Sequence, residues 1–295
     1  GDITTGIQNT IIGGSAGDAL TDADYNVAVG YGALTSDTLG SRSTAIGRNA
    51  LSVQNFTTAT NSLNTAIGYA AGESITTGTN NTIIGANTGD ALTIGVDNVA
   101  IGRSSLTTDV AGKFSVAIGS SALESQNFTT ATNAYNVAVG HEAGKAVTTG
   151  TQNTFVGGLC GDGTDDGYQN TAMGYLALSA NCGNENTAVG WKALTVSTGT
   201  KNTSVGHGSG DSNTTGGSNV YIGYDCAAYQ NDATEGSDNV YIGAFARPSA
   251  ATVSNEIGIG RYVLSQGTNT ATLGISGNGA TISIDGSDTS WAAHS

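Results

Sequence analysis

Three histidines, 23 carboxylates and a recurrent set of aromatic residues are the side chains from which this 295-residue chain could build a site. One residue after a repeated glycine stand Tyr31, Arg48, Tyr69, Arg103, His141, Tyr175, Trp191, His207, Tyr224 and Arg261. Aromatic, Arg and His side chains held at one level of successive turns form a stripe able to stack on sugars or grip a receptor. The same residues also suit a corner packed between subunits, with their polar tips in water. His141 and His207 lie four repeats apart, about 20 Å at the ~4.8 Å spacing of stacked strands, so they share no metal within one chain. A single His repeated about a threefold axis would make a three-His site only if it faced that axis. Gly-Asp pairs at Asp18, Asp90, Asp162 and Asp211 lack the close acidic spacing of a calcium loop and read as solvated turn residues. Glycan hydrolysis needs two carboxylates about 5–10 Å apart in a groove, and the acids here are scattered. With no nucleophile–base pair and no phosphate loop, catalysis is not expected, and neither a metal nor a cofactor is implied.

What positions these residues is a repeat. A word close to Asn-Thr-Ala-Ile-Gly recurs fifteen times, ending at Gly13, Gly30, Gly47, Gly68, Gly85, Gly102, Gly119, Gly140, Gly157, Gly174, Gly190, Gly206, Gly223, Gly243 and Gly260. Nine of the fourteen steps are 17 residues, two are 16, two are 21 and one is 20. A unit this short buries no core alone, so each turn must stack on the next: the spacing predicts a β-solenoid. Gly interrupts every window and no 3.6-residue apolar period is sustained, which excludes a helical array. Stacked at ~4.8 Å, fifteen turns would span about 70 Å.

Within the word, the residue before Gly is always aliphatic or Met, and two residues earlier stands Thr or Val in nearly every turn. Side chains alternate along a strand, so these two positions share a face. They are expected to form the inward stripe. The small residue between them (Ala28, Ala45, Ala100 and others) is expected to meet another backbone, that of a second and third copy of the chain. The word opens with Asn in 12 of its first 14 copies and with Ser at Ser43 and Ser115, which makes Asn98→Ser look mild. Asn there suits left-handed turns or a stacked amide ladder. Cys160 and Cys226 occupy a position that elsewhere holds Ala, Ser or Thr, so they read as small buried fillers.

A longer period overlies the repeat. Gln54-Asn55-Phe56-Thr57-Thr58-Ala59-Thr60 returns unchanged 72 residues later at Gln126 to Thr132, in the two 21-residue steps. Each copy is expected to be an insertion at a turn that leaves the phase intact. Phe56 and Phe128 then have two readings: an aromatic on a projecting contact loop, or a ring folded back over an adjacent turn. A third insertion lies around Gln230 to Gly236.

A net charge of −14 with nine Lys and Arg is incompatible with a phosphate-tracking groove, so no nucleic-acid partner is expected. No apolar run reaches the ~18 residues of a membrane helix, and no insertion into a membrane is expected. The one Met is Met173 and residue 1 falls inside a repeat, so the chain reads as a fragment or processed product.

The repeated word resembles the head repeat of trimeric autotransporter adhesins (YadA-like heads) over residues 1 to about 262. The resemblance implies an all-β, left-handed parallel β-roll that trimerises about a common axis. The period is longer than is common in that family, which implies longer outer turns. After Gly260 the rhythm fails, and Ile282-Ser283-Ile284-Asp285-Gly286 … Trp291-Ala292-Ala293-His294-Ser295 looks like the stretch preceding the endosialidase-type intramolecular chaperone of phage tail fibres and tailspikes. That likeness implies that Ser295 is the end left by chaperone cleavage.

The expectation is therefore a parallel β-roll over 1–262 and a cap or neck over 263–295. Its function would be that of a homotrimeric structural segment of a phage tail fibre, located in the virion and supporting host adhesion. The rivals are the head of a bacterial surface adhesin that binds matrix or glycan at the cell surface, and a glycan-cleaving tailspike. Candidate contacts with a host glycan or protein receptor are Phe56, Phe128, Tyr31, Tyr69, Tyr175, Trp191 and Tyr224.

Overall fold

A computed structural model describes residues 5–228, 235–275, 278–286 and 292–294. Among them the chain is all-β, a parallel β-solenoid of about fifteen turns some 17 residues apart, with no helix. It divides into two compact units, Gly1–Gln152 and Asn153–Ser295.

In the first unit each word forms a three-residue strand: Thr10–Ile12, Val27–Val29, Thr44–Ile46, Thr65–Ile67, Thr82–Ile84, Val99–Ile101, Val116–Ile118 and Val137–Val139. Neighbours pair in parallel with equivalent residues opposite, as in Ala100↔Ala117 and Ile101↔Ile118. Two-residue strands pair beside the insertions, Gly40–Ser41 with Thr60–Asn61 and Gly112–Lys113 with Thr132–Asn133.

The second unit continues the pattern from Thr154–Val156 to Ile257–Ile259. Thr270–Ile275 adds one more parallel strand, Ile257 opposite Ala271. The sense then reverses: Asn278–Ser283 runs antiparallel to Thr270–Ile275, and Ala292–His294 antiparallel to Asn278–Ser283. The insertion around Gln230 falls largely, and Ser295 wholly, outside the described residues.

The repeat glycine has a double cause. Its φ lies near +135°, as at Gly13 (130°) and Gly85 (138°), where side chains are strained. A Cβ at Gly13 would also lie 2.7 Å from the carbonyl oxygen of Gly30 in the next turn.

The inward face of the strand is the opposite of the one expected. The middle residue of the word, Ala28, Ala45, Ala66, Ile83, Ala100, Phe155, Tyr221 or Tyr241, is fully buried, whereas the residue before Gly reaches 60% exposure at Ile12 and 48% at Met173. The reason is the narrow interior of a 17-residue turn. Ala at mid-strand leaves room for a buried Leu four residues after the repeat Gly, as at Leu34, Leu51, Leu106 and Leu178. Where mid-strand carries Ile83 or Phe155, that later position is Gly89 or Gly161; an added Cβ would crowd Ile83 at 3.1 Å and collide with the Phe155 ring at 2.5 Å. Small size at mid-strand reports a narrow lumen, not a neighbouring backbone.

The Asn that opens the word is an inter-turn ladder. Asn81 Oδ1 accepts from the backbone N of Asn98 at 3.0 Å, Asn98 Oδ1 from that of Ser115 at 2.9 Å, and Asn98 Nδ2 donates to the Gly112 carbonyl at 2.9 Å. These groups are buried, and each satisfies backbone polar atoms that a solenoid's inner corner would otherwise strand. In the second unit Glu256 takes the same position. Its backbone N donates to Asn239 Oδ1 at 2.9 Å, and its carboxylate accepts from Tyr241 Oη and from Gly267 N, both at 2.6 Å.

Candidate functional site

Three features of the surface stand out: the outer strand face, the corner after the repeat Gly, and the insertion loops.

The outer strand face carries Thr or β-branched aliphatics three residues before each Gly and an aliphatic or Met one residue before it. No charged residue occupies either position in any turn. Ile12 and Ile46 in the first unit, and Met173, Val205, Ile222, Ile242 and Ile259 in the second, are exposed. The other residues before Gly are half-buried. Each unit thus presents an uncharged, partly exposed row, and apolar surface of that kind is a candidate interaction surface.

The corner after Gly holds the candidate contacts. Tyr31 is 61% exposed, and Tyr69, Tyr175, Trp191 and Tyr224 are exposed too. In the second unit the side chains stack on one another. Trp191 and His207 lie 4.4 Å apart, His207 and Tyr224 4.9 Å, both near-parallel; Tyr224 meets Phe245 edge-on at 5.3 Å, and Phe245 stacks on Tyr262 at 4.6 Å. Lys192 Nζ lies over Trp191 at 4.5 Å, and the Arg261 guanidinium over Tyr262 at 4.8 Å. Ring faces in this column are therefore occupied by neighbouring turns, and what is left outward is edges, hydroxyls and ring N–H groups. A flat sugar-stacking platform, the first reading of these residues, is not what Trp191 and Tyr224 offer. In the first unit the Arg48 guanidinium covers the Tyr69 ring at 5.6 Å and donates to its hydroxyl at 3.2 Å.

A second exposed column was not anticipated. Five residues before the repeat Gly, Tyr25, Leu63 and Tyr135 are exposed, Phe114 stacks on Tyr135 at 5.1 Å, and the Arg42 guanidinium lies over Tyr25 at 5.3 Å. Residue types at this level vary widely. What they share is a left-handed backbone, with φ near +60° at Tyr25, Arg42, Asp97 and Phe114.

The insertion loops correct the projecting reading of Phe56 and Phe128. Both rings are only 6% exposed, folded back beneath the loop, while Thr57, Thr58, Ala59 and their counterparts Thr129, Thr130 and Ala131 lie outside. The loops also repair the ladder where Ser replaces Asn. Gln54 Nε2 donates to Ser43 Oγ at 3.0 Å and to Asp37 Oδ2 at 2.6 Å, and Gln54 Oε1 accepts from Asn64 Nδ2 at 2.8 Å. Asp37 Oδ1 accepts from the backbone N of Gly40 and of Phe56, each at 3.0 Å. Asp109, Gln126, Ser115 and Asn136 repeat this arrangement in the second loop. Burial pushes the Asp37 and Asp109 carboxyls above the usual range, opposed by these hydrogen bonds. Every carboxylate oxygen of Asp37 is thus committed to structure.

A shallow polar depression of about 360 Å³ beside the first loop is lined by Asp22, Asp24, Ser41, Ala59, Thr60 and Asn61. Asp22 and Asp24 already accept from Thr5 Oγ1 at 2.6 Å and Ile7 N at 2.8 Å. Among the described residues no group of three His, Cys, Asp or Glu is placed to hold a metal. Asp90 accepts from Thr107 Oγ1, as a turn residue does. His207 Nδ1 lies 3.3 Å from Asp225 Oδ1 within the aromatic column. Cys160, Cys182 and Cys226 are buried, and that burial drives their thiols up to about 12, 11 and 12, so none is poised as a thiolate nucleophile.

No known family model, curated protein or solved structure matches the chain.

Proposed function

We propose that this chain is a structural segment of a homotrimeric fibre, of the kind found in phage tail fibres, in which stacked turns set the length between an anchor and a host-recognising tip. The observation that carries the reading is the uncharged aliphatic row on the outer strand face, repeated in every turn. A monomer would leave that row in water along both units; three copies with the rows turned to a common axis would bury it. The small mid-strand residues no longer support assembly, because they fill the lumen of the chain's own turns. The resemblance to YadA-like heads points the same way, and the tail-fibre setting rests on the resemblance of the C-terminal stretch. The exposed loop tips at Thr57–Ala59 and Thr129–Ala131 are offered for lateral contact with a host surface.

Sedimentation tests the reading. The chain should run as a trimer, and Ile101→Asp should abolish assembly, since a carboxylate in a closed apolar interface costs several kcal/mol and occurs in three copies. A wild-type chain that is folded, soluble and monomeric at micromolar concentration would refute it.

A further inference from the structure

The two corners that flank the outer strand face differ in chemistry, and the difference has a register. Resting on the trimer proposed above, we infer that the corner after the repeat Gly of one copy packs against the corner five residues before the repeat Gly of the next, with Arg103 meeting Asp97 of the neighbouring copy.

Symmetry supplies the first step. If the outer rows face a threefold axis, each face is bounded by two unlike edges, and ring closure sets one edge against the other. Rotation about the axis involves no translation, so residues of the same turn meet at the same height. The partners can therefore be read within one turn, by comparing the residue after Gly with the one five before it.

Those pairs are complementary. In the turn of Gly102, Arg103 stands at one corner and Asp97 at the other, both exposed. Neither side chain has an ion pair or side-chain hydrogen bond within its own chain among the described residues. In the turn of Gly68, exposed Tyr69 faces exposed Leu63. In the turn of Gly140, His141 faces Tyr135, and in that of Gly30, Tyr31 faces Tyr25. The second unit offers Trp191 and Lys192 against Glu185 in the turn of Gly190.

The two levels at which basic groups oppose each other are disarmed. The turn of Gly47 opposes Arg48 to Arg42, but Arg48 reaches forward to the Tyr69 hydroxyl and Arg42 lies back over Tyr25. The two guanidiniums are drawn in opposite directions along the stack. In the turn of Gly206, opposite Lys201, His207 is held between Trp191 and Tyr224 with Asp225 at its Nδ1. Three of the nine Lys and Arg, namely Arg48, Arg103 and Arg261, directly follow a repeat Gly in a chain of net charge −14. Five residues before the repeat Gly stand three acids, Asp97, Glu185 and Asp238, and two bases, Arg42 and Lys201. Exposed pairs of this kind select register and partner more than they add affinity.

The test uses the full chain. Arg103→Lys converts the contact into an amine facing a carboxylate, which a carbodiimide joins only when the two touch. Treated trimer on a denaturing gel should show covalent dimers and trimers, with position 103 linked to Asp97 in the peptide map. Adding Asp97→Asn should remove that link. A trimer in sedimentation whose cross-links never join these two positions overturns the corner assignment while leaving the trimer standing. A monomer in sedimentation overturns the trimer, and this inference with it.

Discussion

The turn at Asn98 and the turn at Ser43 solve one problem in two ways. Asn98 works alone: its amide accepts from the next turn's backbone and donates to the Gly112 carbonyl. Ser43 is too short to do this, and Gln54 and Asp37 supply the missing donors and acceptors from the insertion loop and the turn before it. Asp37 itself stands ten residues before the repeat Gly, where regular turns bury Leu20, Ile75 or Leu92. One turn type is an apolar core with an amide corner. The other replaces a core aliphatic with a carboxylate and extends the chain by four residues to satisfy it. Ser at the ladder is therefore not a free substitute for Asn but one half of a paired change.

The contrast breaks most sharply at Phe56. Because Phe56 is buried and its backbone N donates to Asp37, Phe56→Ala should destabilise the first unit by about 3–5 kcal/mol, whereas Thr58→Ala at the exposed tip should stay within about 0.5 kcal/mol. Thermal unfolding, with hydrogen exchange to localise the loss, separates the two; equal effects would mean that the loop is not anchored by its Phe.

Next in size is Asn98→Ser. A Ser there has no Gln to assist it, so the Ser115 backbone N and the Gly112 carbonyl lose partners and the cost should be about 1–3 kcal/mol. Denaturant unfolding of this variant beside the wild type reads it directly. A neutral result would restore the simpler view that Ser and Asn are interchangeable in the ladder.

The smallest expected effect sharpens the comparison by pH. Burial holds Asp37 and Asp109 above the unfolded value of 3.8, so the unfolded chain releases these protons first as pH rises. Their contribution to stability is fully present below that value and is lost as pH rises through the folded value. Melting curves across the acid range should show this slope in the wild type. Asp37→Asn with Asp109→Asn should flatten it, and an unchanged slope would locate the titration elsewhere.

Much of the molecule was legible in residue order. The spacing of the repeat glycines named the solenoid, and their positive φ and contact with the next turn explain why no other residue serves. Cys160 and Cys226 were readable as fillers from the Ala, Ser and Thr around them. The aromatic column after Gly was visible from position alone. The column at Tyr25, Phe114 and Tyr135 was not, because its members share a left-handed backbone rather than a residue type. Nor was the link between Ser43 and Gln54, which lie 11 residues apart and meet only through stacking.

The decisive division concerns the strand itself. Alternation told from sequence alone that Ile101 and Val99 share one face and Ala100 the other. It could not tell which face is inside, since both are apolar. Closure of a 17-residue turn decided that: the lumen takes Ala28, Ala45 or Ala100 at mid-strand, or Ile83 or Phe155 with Gly89 or Gly161 across from it, and the residues before Gly lie on the outer face.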